Sequence, residues 1–203
     1  DAAPHPTDTP VRPRPTRVVL TTPAHFDVTY VINPHMADHV GTVNKEIAWQ
    51  QWKALRAAYT ALGLDVHVVE GAPDLPDMVF CANQSLPYCD PESQDTGVVL
   101  SRMHAPERRA EVPHYRAFFE NLDYTIHTLP EEVSGSFEGM GDALWHPGHA
   151  ALWGGYGFRT DLDVYQELHE LFDVPVYVLH LDDPDFYHLD TCFCPLSGGE
   201  LLY

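Results

Sequence analysis

The order of elements along these 203 residues predicts an α/β chain assembled from copies of one small module: two strands, a helix and a third strand. Three observations carry that expectation. Short β-branched and aromatic runs alternate with stretches of helical periodicity. The order strand, strand, helix, strand occurs twice, over residues 78–129 and again over 141–181, without obvious identity between the copies. A doubly wound sheet is disfavoured, because no G-x-G-x-x-G follows the first strand and polar residues cluster at strand ends. Modules of this kind pack around an axis, where their inner loops converge.

Residues 1–16 are proline-rich and polar, bury too little to order themselves, and are expected to form a disordered or extended tail, with one folded unit over 17–203. Arg17 to Thr21 is a β-branched strand, followed by Pro23 and a loop running to Asn33-Pro34. Over Asn44 to Leu62, the spacing of Ile47, Trp52, Leu55 and Tyr59 predicts a helix, with Gly63 as its stop. Val66 to Val69 reads as a strand, residues 73–77 as a turn-rich connection, and Met78-Val79-Phe80 as the start of another strand closed by Asn83-Gln84. Strand 97–101, a helix from Glu107 through Leu122 and strand 124–129 follow. The pattern then repeats with strands at 141–146 and 150–154, a helix at 161–172 and a strand at 176–181. Finally Asp185 to Pro195 reads as a strand-like run that places His188 and Asp190 on one face.

Composition narrows the function classes. Thirty acids against 11 bases give a formal charge of -19, which disfavours nucleic acid and anionic membranes as partners. Lys45 and Lys53 are the only lysines. No apolar run approaches the roughly 18 residues needed to span a bilayer. Four cysteines in a chain of this length do not form a disulfide framework, and no leading signal segment is visible, so a cytoplasmic location is expected. His146, His149, His180, His188 and the Cys192-x-Cys194 pair raise the question of a metal, but their spacing matches no ligand pattern. Neither metal nor cofactor is expected.

Several loops carry polar sets that need explaining. Asn33-Pro34 on its own is a turn signal. Asn83-Gln84 at a strand end offers amides to a planar, nitrogen-rich ligand without burying a charge. Glu138 and Asp142 flank a Gly-rich turn, which fits a half-buried carboxylate and plain turn chemistry equally well. Arg108-Arg109 and Arg159 stand out in a cation-poor chain and suit the anionic end of a ligand, surface ion pairs being the alternative. His188 beside Asp190 is able to hold a cation and move a proton, or to form a structural ion pair.

Taken together, Phe26-Asp27-Val28 with Ile32-Asn33-Pro34, Pro76-Asp77-Met78-Val79-Phe80-Cys81-Ala82-Asn83, Phe137-Glu138-Gly139-x-Gly141-Asp142-Ala143-Leu144, Gly157-x-Arg159-Thr160 and Phe186-Tyr187-His188-Leu189-Asp190-Thr191 resemble the guanidine-modifying superfamily. Its members include dimethylarginine dimethylaminohydrolases, arginine deiminases, arginine dihydrolases and amidinotransferases. The resemblance implies an α/β propeller (pentein) of ββαβ modules with substrate in the central channel, here incomplete at the C-terminus. It implies a hydrolase acting on the guanidinium carbon of arginine or a methylated arginine, through a covalent Cys-His-Glu mechanism. The general acid/base falls on His188 and the guanidinium-orienting acid on Glu138, although the spacing of the acidic motif also admits Asp142. Substrate contacts fall on Asn33, Asp77, Phe80, Asn83, Arg108, Arg159 and Asp190.

Two departures matter. Asn83 stands where the methylarginine hydrolases usually carry an acid, which leans toward the arginine dihydrolases. The nucleophilic cysteine of the family lies well beyond the His motif, so it is expected past residue 203, with Cys192 and Cys194 poor substitutes. An amidinotransferase and a non-catalytic guanidino-compound binding module remain the alternatives. An incomplete ring would leave strand edges and apolar surface open to a homo-oligomeric contact.

Overall fold

The computed structural model describes residues 5–90, 93 and 95–203. Strands β1 (Arg17–Thr21) and β2 (Asp65–Val69) pair in parallel across helix α1 (Lys45–Ala61). Next come β3 (Ser85–Cys89), β4 (Thr96–Leu100), helix α2 (Val112–Glu120) and β5 (Thr125–Thr128). A one-turn helix α3 (Gly139–Asp142) leads into β6 (Ala143–Trp145), followed by β7 (Leu152–Tyr156), helix α4 (Val164–Phe172) and β8 (Val176–His180). A short hairpin, β9 (Cys194–Pro195) with β10 (Leu201–Leu202), ends the chain.

The expected repeat is explicit in the pairing. In the second module β3 and β4 are antiparallel while β4 and β5 are parallel, and β6, β7 and β8 repeat both relationships in the third. A short turn suffices for the first kind of pairing, whereas the parallel return needs a crossover, and α2 and α4 supply it. The first module shows only the crossover half of this pattern, β1-α1-β2.

Local chemistry sets the helix ends. The Asn44 side chain accepts the backbone N–H of Ile47 at 3.1 Å and caps α1, and Gly63, at φ 79°, takes the left-handed turn that releases the chain. Apolar side chains then fill the module boundaries. Met78, Leu100, Tyr115 and Phe119 pack with Val69 between the first two modules. Leu86, Phe137, Leu152 and Leu168 join the second to the third, and Trp153, Leu189 and Phe193 join the third to the C-terminal segment. Helix α1, in contrast, buries none of its residues.

Two expectations change. Met78-Val79-Phe80 is not strand: residues Pro76–Val79 form a 3-10 turn with proline at its start, and the strand begins at Ser85. The run around His188 is not strand either. Two 3-10 turns, Pro184–Phe186 and Leu189–Thr191, bracket an extended His188, so His188 and Asp190 do not share a strand face. The proline-rich start of the tail, residues 1–4, lies outside the described residues. From His5 onward the segment is docked: the Ala150 N–H donates to Pro10 O at 2.8 Å, the Arg12 N–H to Gly148 O at 3.0 Å, and the Arg12 guanidinium sits 4.0 Å over the Trp145 ring. A cation over an aromatic face offsets part of the ordering cost that the composition alone could not meet. Among the described residues no helix is long and apolar enough to cross a membrane.

Arg102 ties the second module to the third. Its guanidinium donates to the carbonyls of Leu129 (3.1 Å), Pro130 (2.9 Å) and Gly135 (3.2 Å) and to that of Val133, gathering the connection that leads to α3. A point-like ammonium cannot reproduce this planar fork. We expect Arg102→Lys to lower stability by about 1–3 kcal/mol, read as a fall in the urea midpoint. An unchanged midpoint would show that this latch contributes nothing.

Candidate active site

The turn from Glu138 to Asp142 is built for close approach. Gly139 adopts φ +52°, and a Cβ there would lie 2.6 Å from Ser85 O; a Cβ on Gly141 would lie 2.3 Å from Asn83 Nδ2 and 3.1 Å from His188 Nδ1. Only glycine lets this backbone run against the second module and the His188 ring. The Thr160 hydroxyl joins both ends of the turn, accepting the Glu138 N–H at 3.0 Å and donating to Asp142 Oδ2 at 2.7 Å.

Both acids reach the same imidazole. Glu138 Oε2 lies 3.1 Å from His188 Nε2, and Asp142 Oδ1 lies 3.1 Å from His188 Nδ1. All three side chains are buried. Glu138 is further held by Arg159, whose Nη1 donates to Oε2 at 3.0 Å, and by the N–H groups of His104 and Ala105, which donate to Oε1 at 3.0 and 3.4 Å. Asp142 accepts the Leu189 N–H at 3.1 Å, which positions the turn that carries His188. Burial opposes the charge on Glu138 and on His188, but pairing prevails for both. His188 and Arg159 hold the Glu138 carboxyl down at about 2, and the two carboxylates raise His188 to about 9. An imidazolium between two carboxylates is therefore the resting state at neutral pH.

The second module contributes a buried lattice beside this trio. Arg108 donates through Nε and Nη2 to Glu111 and through Nη2 to the carbonyls of Asp77 (3.1 Å) and Phe80 (3.3 Å). Its Nη1 donates to Asn83 Oδ1 at 3.0 Å. That bond fixes the amide, so Asn83 Nδ2 faces His188 Nε2 at 3.2 Å. Gln84 donates to Glu111 Oε2 at 2.6 Å. Asp77 accepts the Tyr30 hydroxyl on Oδ2 at 3.0 Å, while its Oδ1 is buried with no hydrogen-bond partner among the described residues. Burial raises the Asp77 carboxyl, with Arg108 pulling it back.

A cavity of about 360 Å³ meets the buried cluster at Arg159 and is lined by Ile32, Asn33, His104, Glu107, Arg159 and Tyr187. Arg159 Nη2 donates to Ile32 O at 2.7 Å, and its guanidinium lies 4.8 Å over the Tyr187 ring.

The structure thus brings Asp77, Asn83, Arg108, Glu138, Arg159 and His188 into one cluster, with Asn33 on the cavity wall. Other residues fall elsewhere. Asp190 is exposed, and among the described residues no hydrogen bond joins it to His188; Asp142 takes that neighbouring place instead. Phe80 is half exposed and meets Phe26 edge to face at 5.6 Å. Arg108 is enclosed by Glu111, Asn83 and carbonyls, and so buttresses the site rather than presenting an open clamp. Arg109 is turned to the carbonyls of Met103 and His104. Residue patterns did not single out Glu111, although it follows Arg108 at the i+3 spacing of a helical ion pair, and they gave Thr160 a place in the Gly157-x-Arg159-Thr160 motif but no role. Among the described residues no hydrogen bond joins a cysteine sulfur to the imidazole: Cys81 donates to Val19 O, and Cys192 is turned to the carbonyls of His188 and Leu189. Burial pushes the thiols of Cys81 and Cys192 up, the reverse of an activated nucleophile.

Comparison with known proteins agrees with this geometry. Residues 23–198 match the family described as N,N dimethylarginine dimethylhydrolase, eukaryotic. The bifunctional arginine dihydrolase/ornithine cyclodeaminase ArgZ of Synechocystis is 43% identical over 187 residues, covering 92% of this chain and 25% of that protein. The N(G),N(G)-dimethylarginine dimethylaminohydrolase of Mycobacterium tuberculosis is 37% identical over 191 residues, 94% of this chain and 59% of the relative. The crystal structure of the substrate-bound N-terminal domain of ArgZ superposes with a TM-score of 0.84, covering 92% of this chain and 66% of that one. The chain thus spans less than two thirds of the length of these relatives. A dimethylarginine dimethylaminohydrolase with only 19% identity keeps the fold, at a TM-score of 0.74. With ββαβ modules whose inner loops converge on one buried imidazole, the chain belongs to the N,N dimethylarginine dimethylhydrolase family, within the guanidine-modifying pentein superfamily.

Proposed function

We propose that this chain forms the acid/base and substrate-binding part of a hydrolase that acts on the guanidinium carbon of arginine. The observation that carries the reading is His188 held between buried Glu138 and Asp142, with Arg159, the other partner of Glu138, lining the cavity. The acids suit a planar cation: Glu138 is a carboxylate of the kind that pairs with its N–H groups, and the unpartnered Asp77 Oδ1 awaits a donor such as the substrate ammonium. Arg159 faces the cavity with an aromatic backing suited to the substrate carboxylate. Asn83, an amide rather than an acid, favours unmethylated arginine over its methylated forms, in keeping with the arginine dihydrolases among the relatives.

The chemistry follows from these placements. A cysteine thiolate, supplied from outside the residues described, attacks the guanidinium carbon and forms a C–S bond. The C–N bond to the leaving amine breaks as His188 transfers its proton to that nitrogen, which leaves as the neutral amine. Water then attacks the amidine thioester while His188 accepts one of its protons; collapse of the adduct forms the C=O bond, breaks the C–S bond, returns the thiolate and passes the remaining hydroxyl proton to the released amine through solvent. Because His188 rests as the imidazolium, it enters the cycle as the acid.

In purified full-length protein, His188→Ala should lower arginine turnover by about 10²-fold or more. Near-normal turnover on every guanidino substrate would overturn the assignment. Stability should report the same pairing. His188 is raised from 6.5 to about 9 on folding, so its contribution is complete below pH 6.5 and is lost as pH rises through about 9. Glu138 is lowered from 4.5 to about 2, so its contribution is complete above pH 4.5 and is lost as pH falls toward about 2. The urea midpoint of the wild type should therefore decline across the alkaline window, and His188→Gln should flatten that decline. An equal decline in both proteins would place the titration elsewhere.

A further inference from the structure

Two independent contacts specify which His188 nitrogen keeps its proton. At Nδ1 the neighbour is an acceptor, Asp142 Oδ1, buried and paired with the ring at 3.1 Å; the contact is an ion pair not aligned as a hydrogen bond, and no other group bonds this nitrogen among the described residues. At Nε2 the neighbour is a donor. Asn83 Oδ1 is occupied by Arg108 Nη1, so the amide presents Nδ2–H to Nε2 at 3.2 Å, and an N–H group favours a bare nitrogen there. Glu138 Oε2, 3.1 Å from the same Nε2, favours the protonated form instead. Nε2 therefore faces one partner for each protonation state, while Nδ1 faces a partner for only one.

We propose that Asp142 is a positioning residue that pins a proton on His188 Nδ1, so that Nε2 alone exchanges the proton used in the reaction. This rests on the acid/base role of His188 proposed above. Asp142 suits the task because its own geometry is over-determined. Oδ1 accepts the Leu189 N–H, Oδ2 accepts the Thr160 hydroxyl, and its backbone carbonyl accepts the Tyr165 hydroxyl at 2.9 Å. Asp142 thus orients both the ring and the turn that carries it, as the buried acid of a hydrolytic triad orients its imidazole. The other charged and titratable groups near the ring act less directly: Arg159 through Glu138, Arg108 through Asn83, Asp190 from the following turn, and Tyr187 by ring contact at 5.0 Å.

The test is nitrogen NMR of full-length protein labelled at histidine, with the His188 signals assigned by their loss in His188→Gln. Above its titration midpoint the wild-type ring should be in the Nδ1–H form. Asp142→Asn keeps the shape but removes the charge, and should weaken proton binding by His188 about tenfold or more. The same variant should lower kcat by ~10²-fold or more, with KM for arginine little changed, and should move the alkaline limb of the pH profile downward. A wild-type ring in the Nε2–H form would overturn the proposal without any variant. So would an Asp142→Asn protein that folds and keeps the wild-type tautomer and midpoint. Should His188→Ala retain turnover, the acid/base reading fails, yet the tautomer measurement still decides whether Asp142 pins the proton.

Discussion

The imidazole clasped by two carboxylates is the constraint on which the rest of the architecture depends. Removing charges from water costs several kcal/mol per ion, and the cost is recovered only when every partner is in place. Here the recovery is collective. Glu138 is shared by His188 and Arg159, Arg108 by Glu111 and Asn83, and Asp142 by His188, Leu189 and Thr160. Such a cluster adds little net stability, but it allows one arrangement of the loops and penalises others, because any loop that drifts leaves a buried charge uncompensated.

The modular construction explains how distant segments meet. The connection before the first strand of a module supplies acids and amides: Asp77 and Asn83 before β3, Glu138 and Asp142 before β6. The connection after the second strand supplies an arginine: Arg108 after β4, Arg159 after β7. His188 stands before β9 in the place that Asn83 and Glu138 occupy in their own modules. Repetition of one backbone plan therefore repeats a chemical plan, with a donor and an acceptor delivered to the same end of each sheet. The apolar contacts between modules keep those ends in register.

Much of this was legible from residues alone. Strands such as Arg17–Thr21 and the helix capped by Asn44 carry local signals strong enough to survive in the fold. The ordered motifs also led to the loops that converge. What escaped was set by tertiary contact. Alternation suggested a strand through His188, whereas the Leu189 N–H is claimed by Asp142 and the chain turns there. Asp190 looked like the partner of His188 because it is near in sequence, yet the partner, Asp142, lies on another module. Arg108 looked like an open clamp because nothing local revealed Glu111 and Asn83 closing around it. No local rule foresaw Arg12 settling on Trp145.

Gly141 carries a consequence of its own. Its missing side chain is the gap through which an amide from one module touches an imidazole from another, and even a methyl group would wedge them apart. The position therefore has no neutral alternatives, and drift there would be felt at once in three loops. Where a site is shaped by an absent carbon, the smallest residue is the one with the least freedom to change.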